Sequence, residues 1–143
     1  MTDQLASITN EGAILMGNIF CCDGHSYSSN NFVFSHMHTD HSEKLTKCLY
    51  NGTVYMTKPT RDLLEAINNE YYGSDTTKIK KQQIETLDYG KSKIINDGKH
   101  KEKITFYESE HVLGASQVEI ITDTGEKIVY SGDITPKDVA PKN

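Results

Sequence analysis

The sequence predicts a single mixed domain of the α/β or α+β class, in which short strands predominate and a few helices lie between them. Three observations support this prediction. Short apolar segments bounded by glycine, asparagine and aspartate recur along the chain, as in strands joined by turns. Two stretches carry apolar residues at helical spacing. No internal repeat or low-complexity linker interrupts the 143 residues, a length that fits one domain with a real core.

In the first half of the chain, apolar runs and turn residues predict strands that alternate with two helices. These are strands at residues 13–16, 18–22, 32–35 and 53–56, and helices from Asp40 to about Tyr50 and from Arg61 to about residue 68. Gly17 separates the first two strands as a hairpin, Asn51-Gly52 ends the first helix, and Thr60 is placed to cap the second. His25 falls in a polar loop, where we expect it at the surface.

The second half of the chain reads mainly as strands. They are predicted at residues 84–87, 93–95, 103–107, 118–122 and 127–130. Asp123-Thr124-Gly125 supplies the turn of a hairpin between the last two. His100 lies in a run of charged residues, so we expect it to be exposed to solvent.

Composition excludes some classes of protein. No apolar run approaches the roughly 18 residues of a membrane span, and the N-terminus shows no signal-peptide pattern. The net charge of −5 disfavours a protein that coats nucleic acid with a basic face, although metal ions could still bind phosphates. The three cysteines form no CxxC pair, which predicts reduced, core-packed thiols and a cytoplasmic location; they are Cys21, Cys22 and Cys48.

The stretch with the most candidate metal ligands is Ser35-His36-Met37-His38-Thr39-Asp40-His41, directly after a predicted buried strand. Alternation along the strand end places His36 and His38 on the same side. Imidazole nitrogens and carboxylate oxygens are the ligands that zinc-class ions prefer, and this run could serve two adjacent ions. A structural alternative makes Asp40 a helix N-cap paired with Glu43, but it does not account for three histidines in six residues.

Two distant residues could complete such a cluster, because each follows a predicted strand. His111 comes after the strand at residues 103–107, and Asp133 comes after the last predicted strand, beside Gly132, a glycine that permits close approach of the chain. A rigid sheet can hold side chains from several strand ends near one point. Each also has an ordinary alternative, as a loop histidine or as an aspartate in a turn.

These motifs resemble the metallo-β-lactamase superfamily, in the order His36-x-His38-x-Asp40-His41, His111 and Gly132-Asp133. The resemblance is closer to its β-CASP branch, which includes RNA-processing nucleases and archaeal exonucleases. The segments that indicate this branch are His-Val-Leu-Gly-Ala at residues 111–115 and Tyr-Ser-Gly-Asp at residues 130–133. Asp23-Gly24 is similar to the first motif of the branch, and the match spans residues 11–135.

The resemblance implies an αββα sandwich with two divalent metal ions, and zinc is the expected metal. One ion would be held by His36, His38 and His111, and the second by Asp40 and His41, with Asp133 bridging the two. Asp40, His41 and Asp133 are the implied catalytic residues. Asp23 would orient a metal-bound histidine from outside the ligand set.

The chain departs from the family pattern because no histidine follows His111. Residues 1–143 therefore look like the N-terminal part of the sandwich, without the final ligand histidine or the inserted β-CASP domain. Three explanations remain open. The sequence is a fragment, or another chain (a second copy or a partner) completes the fold, or the second metal is held more weakly.

The function implied is metal-dependent hydrolysis of phosphodiester bonds in RNA or DNA by a metal-bound hydroxide, as in an exonuclease or RNA-processing nuclease. No serine or cysteine nucleophile is required. Two alternatives stay open. One is another hydrolase of the superfamily, such as a thioesterase resembling glyoxalase II. The other is a non-catalytic metal-binding half that needs a partner chain.

Overall fold

Two β-sheets and two helices form the part of the chain that the computed structural model describes, which is residues 5–37, 44–66, 84–109 and 111–132. The first sheet has the strand order β1-β2-β3-β4-β5-β6 and the second has the order β10-β9-β8-β7. The strands of the first sheet are β1 (Ala6–Ile8), β2 (Ile14–Met16), β3 (Phe20–Cys22), β4 (Asn31–Val33), β5 (Thr53–Met56) and β6 (Ile84–Thr86). Those of the second are β7 (Ser92–Asn96), β8 (Lys101–Glu108), β9 (Ser116–Ile121) and β10 (Lys127–Tyr130). Helix α1 spans Leu45–Asn51, and residues 58–66 are helical and are called α2.

The first sheet is antiparallel from β1 to β3 and parallel from β3 to β6. Helix α1 lies in the connection between β4 and β5, and α2 lies in the connection between β5 and β6. Parallel neighbours need such crossovers, because a tight turn can join only antiparallel strands. The second sheet is antiparallel throughout. The mixed architecture predicted from the sequence is confirmed.

Alternation along the central strands builds two cores on opposite faces of the first sheet. Cys22, Val33 and Tyr55 face the second sheet, where they pack with Ile104, Phe106 and other buried apolar residues. The neighbouring residues on the same strands, Cys21, Phe32 and Val54, face the helices and pack with Leu45, Cys48, Leu49 and Leu64. The layers within the described ranges are therefore helices, six-stranded sheet and four-stranded sheet.

Most predicted elements agree with the structure, and the differences have local causes. Strand β1 was not predicted, because its sequence Ala-Ser-Ile forms no apolar run and the strand is mostly exposed. Helix α2 begins at residue 58 rather than at Arg61. The cap is Thr57, whose Oγ1 accepts a hydrogen bond from the N–H of Thr60 at 3.3 Å. Pro59 is tolerated there because the first helical turn leaves its N–H groups without helical partners. Asp40 and residue 68, the predicted outer ends of the helices, lie outside the described ranges.

The surface position predicted for His25 is wrong, because only 6% of its surface is exposed. Its ring stacks on Phe32 at 5.3 Å between centroids and meets the edge of Tyr27 at 4.7 Å. Burial lowers the pKa of His25 from its usual value near 6.5, and the positive charge of Lys47 lowers it further. The polarity of the surrounding loop sequence gave no sign of this aromatic contact.

The prediction of core-packed thiols is confirmed, because all three cysteines are buried and free of disulfide bonds. Burial raises the pKa of Cys21 to about 11, so this thiol is a packing group rather than a nucleophile at neutral pH. Among the described residues, no helix is long and apolar enough to cross a membrane. His100 is partly exposed, and its Nδ1 lies 3.3 Å from Oδ2 of Asp123.

Candidate metal centre

Polar side chains follow the carboxyl ends of three adjacent parallel strands. Asp23 comes directly after β3, Ser35 and His36 come after β4, and Thr57 comes after β5. Because the carboxyl ends of parallel strands meet at one edge of a sheet, these residues share that edge. It is also the edge at which open α/β sheets bind their ligands.

Asp23 anchors this edge through its carboxylate. Its Oδ1 accepts a hydrogen bond from the backbone N–H of Ser35 at 2.7 Å, and its Oδ2 accepts one from the Ser35 hydroxyl at 2.6 Å. The hydroxyl of Tyr130 donates to Oδ2 at 2.8 Å. Asp23 has a φ of 51°, a left-handed conformation that aspartate tolerates better than most residues. The carboxylate therefore joins the ends of β4 and β10 to β3.

The hydrogen bonds of Ser35 determine which nitrogen of His36 carries the proton. The Ser35 hydroxyl has one hydrogen, and the carboxylate of Asp23 accepts it. Oγ of Ser35 also lies 2.9 Å from Nδ1 of His36, so Nδ1–H must be the donor in this second bond. His36 is fully buried, and its Nε2 then carries a lone pair. This is the tautomer that a metal ligand requires at Nε2.

The structure brings His111 next to His36, although the two are far apart in the sequence. Their ring centroids are 5.0 Å apart and the ring planes are nearly perpendicular, at 88°. The loop that carries His111 is joined to the end of β4, because the N–H of Ser116 donates to the carbonyl of Ser35 at 2.8 Å. Asp23, His36 and His111 thus lie at one place, while His100 lies in the turn between β7 and β8.

Gly132 lies directly against this edge. A Cβ at Gly132 would come within 3.0 Å of the carbonyl oxygen of Ser116 and 3.3 Å of the Ser35 side chain, and its φ is +60°. The chain therefore reaches the end of β4 one residue before Asp133. The close approach predicted from this glycine is present.

The remaining predicted ligands lie outside the described residues. They are His38, Asp40, His41 and Asp133. In residues 5–37, 44–66, 84–109 and 111–132, no group of three or more histidine, cysteine, aspartate or glutamate side chains could hold a metal ion. The ligand set thus stays a prediction, and the described residues supply one histidine pair and the carboxylate behind it.

Sequence reasoning missed two members of this arrangement, Ser35 and Tyr130. Ser35 belongs to the histidine-rich stretch, but a serine there suggests no particular partner. Tyr130 ends the last strand, and its hydroxyl reaches a carboxylate 107 residues away in the sequence. Only the arrangement of the two sheets reveals that contact.

Comparison with known proteins gives relatives in sequence and in structure. No family model matches the chain. Transcription termination factor FttA of Methanococcus maripaludis is 30% identical over 118 residues, which cover 71% of this chain and 18% of that protein. A metallo-β-lactamase of Cronobacter sakazakii with a HARLDQ motif superposes with a TM-score of 0.60 at 12% identity, covering 88% of this chain and 59% of the other. The metallo-β-lactamase fold protein YhfI of Bacillus subtilis gives a TM-score of 0.52 at 15% identity, covering 85% and 53%.

These comparisons establish the fold and the sequence relationship. Both structural neighbours have the metallo-β-lactamase fold, at identities too low to carry an activity across. The chain spans less than a fifth of the length of its FttA relative.

Proposed function

This chain belongs to the metallo-β-lactamase superfamily and is homologous to part of FttA, and on that premise we propose that it is the metal-binding part of a nuclease. The proposed reaction is metal-dependent hydrolysis of phosphodiester bonds in RNA or DNA. The relative's name, transcription termination factor, supports a nucleic-acid substrate, with RNA as the first candidate.

The observation that carries this proposal is the pairing of His36 with His111. Two imidazoles at the carboxyl edge of a sheet, with centroids 5.0 Å apart, suit a shared ion. The tautomer of His36 supports this, because its proton is held on Nδ1 by Ser35 and its Nε2 is left as an acceptor. A buried nitrogen ligand oriented by an outer carboxylate is typical of zinc sites.

We propose that the site holds two divalent ions, with zinc as the expected metal, because histidine and aspartate side chains are donors that such ions take. His36, His38 and His111 would hold the first, Asp40 and His41 the second, and Asp133 would bridge them. When bound, such ions supply Lewis-acid chemistry, acidifying a water molecule and neutralising charge on the phosphodiester.

The chain's own residues orient the ring of His36. Asp23 and Ser35 hold the proton of His36 on Nδ1 and fix the direction of its ring. Tyr130 keeps the Asp23 carboxylate in place from the second sheet.

The test is hydrolysis of bis(p-nitrophenyl) phosphate and of a labelled single-stranded RNA by the 143-residue chain, with zinc or manganese added. We expect metal-dependent turnover that falls by about 100-fold or more in His111→Ala. The matched control is His100→Ala, which changes the same residue type in a turn away from the site and should leave turnover unchanged.

The outcomes separate the competing functions. A folded chain that binds no zinc and shows no turnover contradicts the proposal. Zinc binding without turnover supports the non-catalytic half that needs a partner chain. Faster hydrolysis of a thioester than of either phosphodiester supports the glyoxalase II-like alternative.

A further inference from the structure

The carbonyl of Gly114 is held by two buried threonines at the start of α2. The hydroxyl of Thr57 donates to this carbonyl oxygen at 2.8 Å, and that of Thr60 donates at 2.9 Å. Both threonines are almost completely buried, with 2% and 0% of their surface exposed. The Ser116 hydroxyl donates to the same oxygen at the longer distance of 3.3 Å, so the two threonines supply the two shorter hydrogen bonds to this carbonyl.

Gly114 is packed tightly against that first helical turn. Its φ is +85°, and a Cβ there would lie 2.5 Å from Oγ1 of Thr60 and 2.7 Å from its backbone nitrogen. Any side chain would force the loop away from α2. The loop and the helix therefore fit only with glycine at this position.

The same loop has further anchors on its other side. The hydroxyl of Tyr89 donates to the carbonyl of Ala115 at 2.7 Å. The N–H of Ala115 donates to the carbonyl of Val112 at 3.0 Å, which closes a turn directly after His111. The N–H of Ser116 is bonded to Ser35. His111 thus comes directly before a turn that is held in place by α2, by Tyr89 and by the end of β4.

We propose that Thr57 and Thr60 are positioning residues for His111, holding its imidazole beside His36 for a shared metal. This inference rests on the proposed function. Valine would fill the space of either threonine, but it would leave the Gly114 carbonyl with one hydrogen-bond donor fewer in a buried place. The loss of one donor to a buried carbonyl is unfavourable, and the loop would relieve that cost by moving away from α2. Such a shift would carry His111 away from His36.

A purely structural role predicts something different. Thr57 also caps α2 by accepting from the N–H of Thr60, so its loss would weaken the helix whatever His111 does. Thr60 is the better residue to substitute, because a Thr60 variant keeps the hydrogen bond from its backbone N–H to the capping hydroxyl of Thr57. A substitution that only destabilised the fold would leave metal binding by the folded fraction unchanged.

The experiment compares Thr60→Val with Thr60→Ser and with a control, Thr122→Val. Thr122 is also buried, and its hydroxyl is hydrogen-bonded to Thr124 and Glu126 in the hairpin between β9 and β10. The measurements are the zinc dissociation constant, the ring ¹⁵N resonances of His111 in the metal-free chain, and stability to urea.

Thr60→Val should raise the zinc dissociation constant about tenfold and shift the His111 resonances. Thr60→Ser, which keeps the hydroxyl, should stay within about twofold of the original chain, as should Thr122→Val. Equal stability losses in the two valine variants, with zinc binding and His111 resonances unchanged, would overturn the inference. If the original chain binds no zinc, the proposed function fails, while the His111 resonances still test the positioning by Thr60.

Discussion

Replacing Ser35 with alanine tests the hydrogen-bond relay from Asp23 to His36. The Ser35 hydroxyl donates to Asp23 at 2.6 Å and accepts from Nδ1 of His36 at 2.9 Å. Without it, the buried Nδ1–H of His36 loses this acceptor, at a cost of about 1–3 kcal/mol. The proton can then move to Nε2, the nitrogen that would bind metal.

We therefore expect Ser35→Ala to weaken zinc binding by about 10–100-fold, the range found when outer hydrogen bonds to metal ligands are removed. That corresponds to roughly 1.4–2.7 kcal/mol of binding free energy. Calorimetric titration measures the affinity, and the ring ¹⁵N shifts of His36 in the metal-free chain report its tautomer at pH 8. The Nδ1–H form should predominate in the original chain and decline in the variant.

The matched control is Tyr130→Phe. It removes the hydrogen bond that the Tyr130 hydroxyl donates to Oδ2 of Asp23 at 2.8 Å but leaves the contact between Ser35 and His36 in place. Its effect on zinc affinity should be clearly smaller than that of Ser35→Ala. If Ser35→Ala binds zinc within twofold of the original chain and keeps the Nδ1–H tautomer, the Ser35 hydroxyl does not control the tautomer of His36.

Three further predictions concern the stability of the fold. Glu102 is buried and accepts hydrogen bonds from the backbone amides of the turn between β2 and β3. Glu102→Gln should therefore lower the free energy of unfolding in urea by about 2–3 kcal/mol. The control Glu119→Gln, on the next strand, should lower it by less than about 1 kcal/mol. Because burial lowers the pKa of His25 in the folded state, the unfolded state binds more protons below pH 6.5. The free energy of unfolding should thus fall as the pH drops from 7.5 to 5.5. It should fall less over that interval in the His25→Phe variant. Gly52→Ala would place a Cβ 2.0 Å from the carbonyl oxygen of Asn30, so we expect a loss of about 3 kcal/mol or failure to fold.

Sequence patterns predicted the elements whose side chains alternate or recur locally. The hairpin of β2 and β3 follows from two apolar runs around Gly17, and the helices follow from apolar spacing and from Gly52. The close approach at Gly132 could also be predicted, because glycine beside a candidate ligand suggests crowding. These signals lie within a few residues of the features that they predict.

Features that depend on contacts between distant segments could not be predicted in the same way. The burial of His25 comes from a stacking contact with Phe32, and the anchoring of Asp23 comes from Tyr130 on the second sheet. Thr57 was overlooked as the cap of α2, because Thr60 has the same side chain and lies closer in sequence to the apolar residues of that helix. The metal-ligand set came from the family resemblance, and of that set the structure describes only His36 and His111.

Anomalous scattering at the zinc edge from crystals of the zinc-loaded chain tests the central claim most directly. We predict a zinc peak within coordination distance of both Nε2 of His36 and a ring nitrogen of His111. A peak that contacts neither ring, or only one of them, would contradict it.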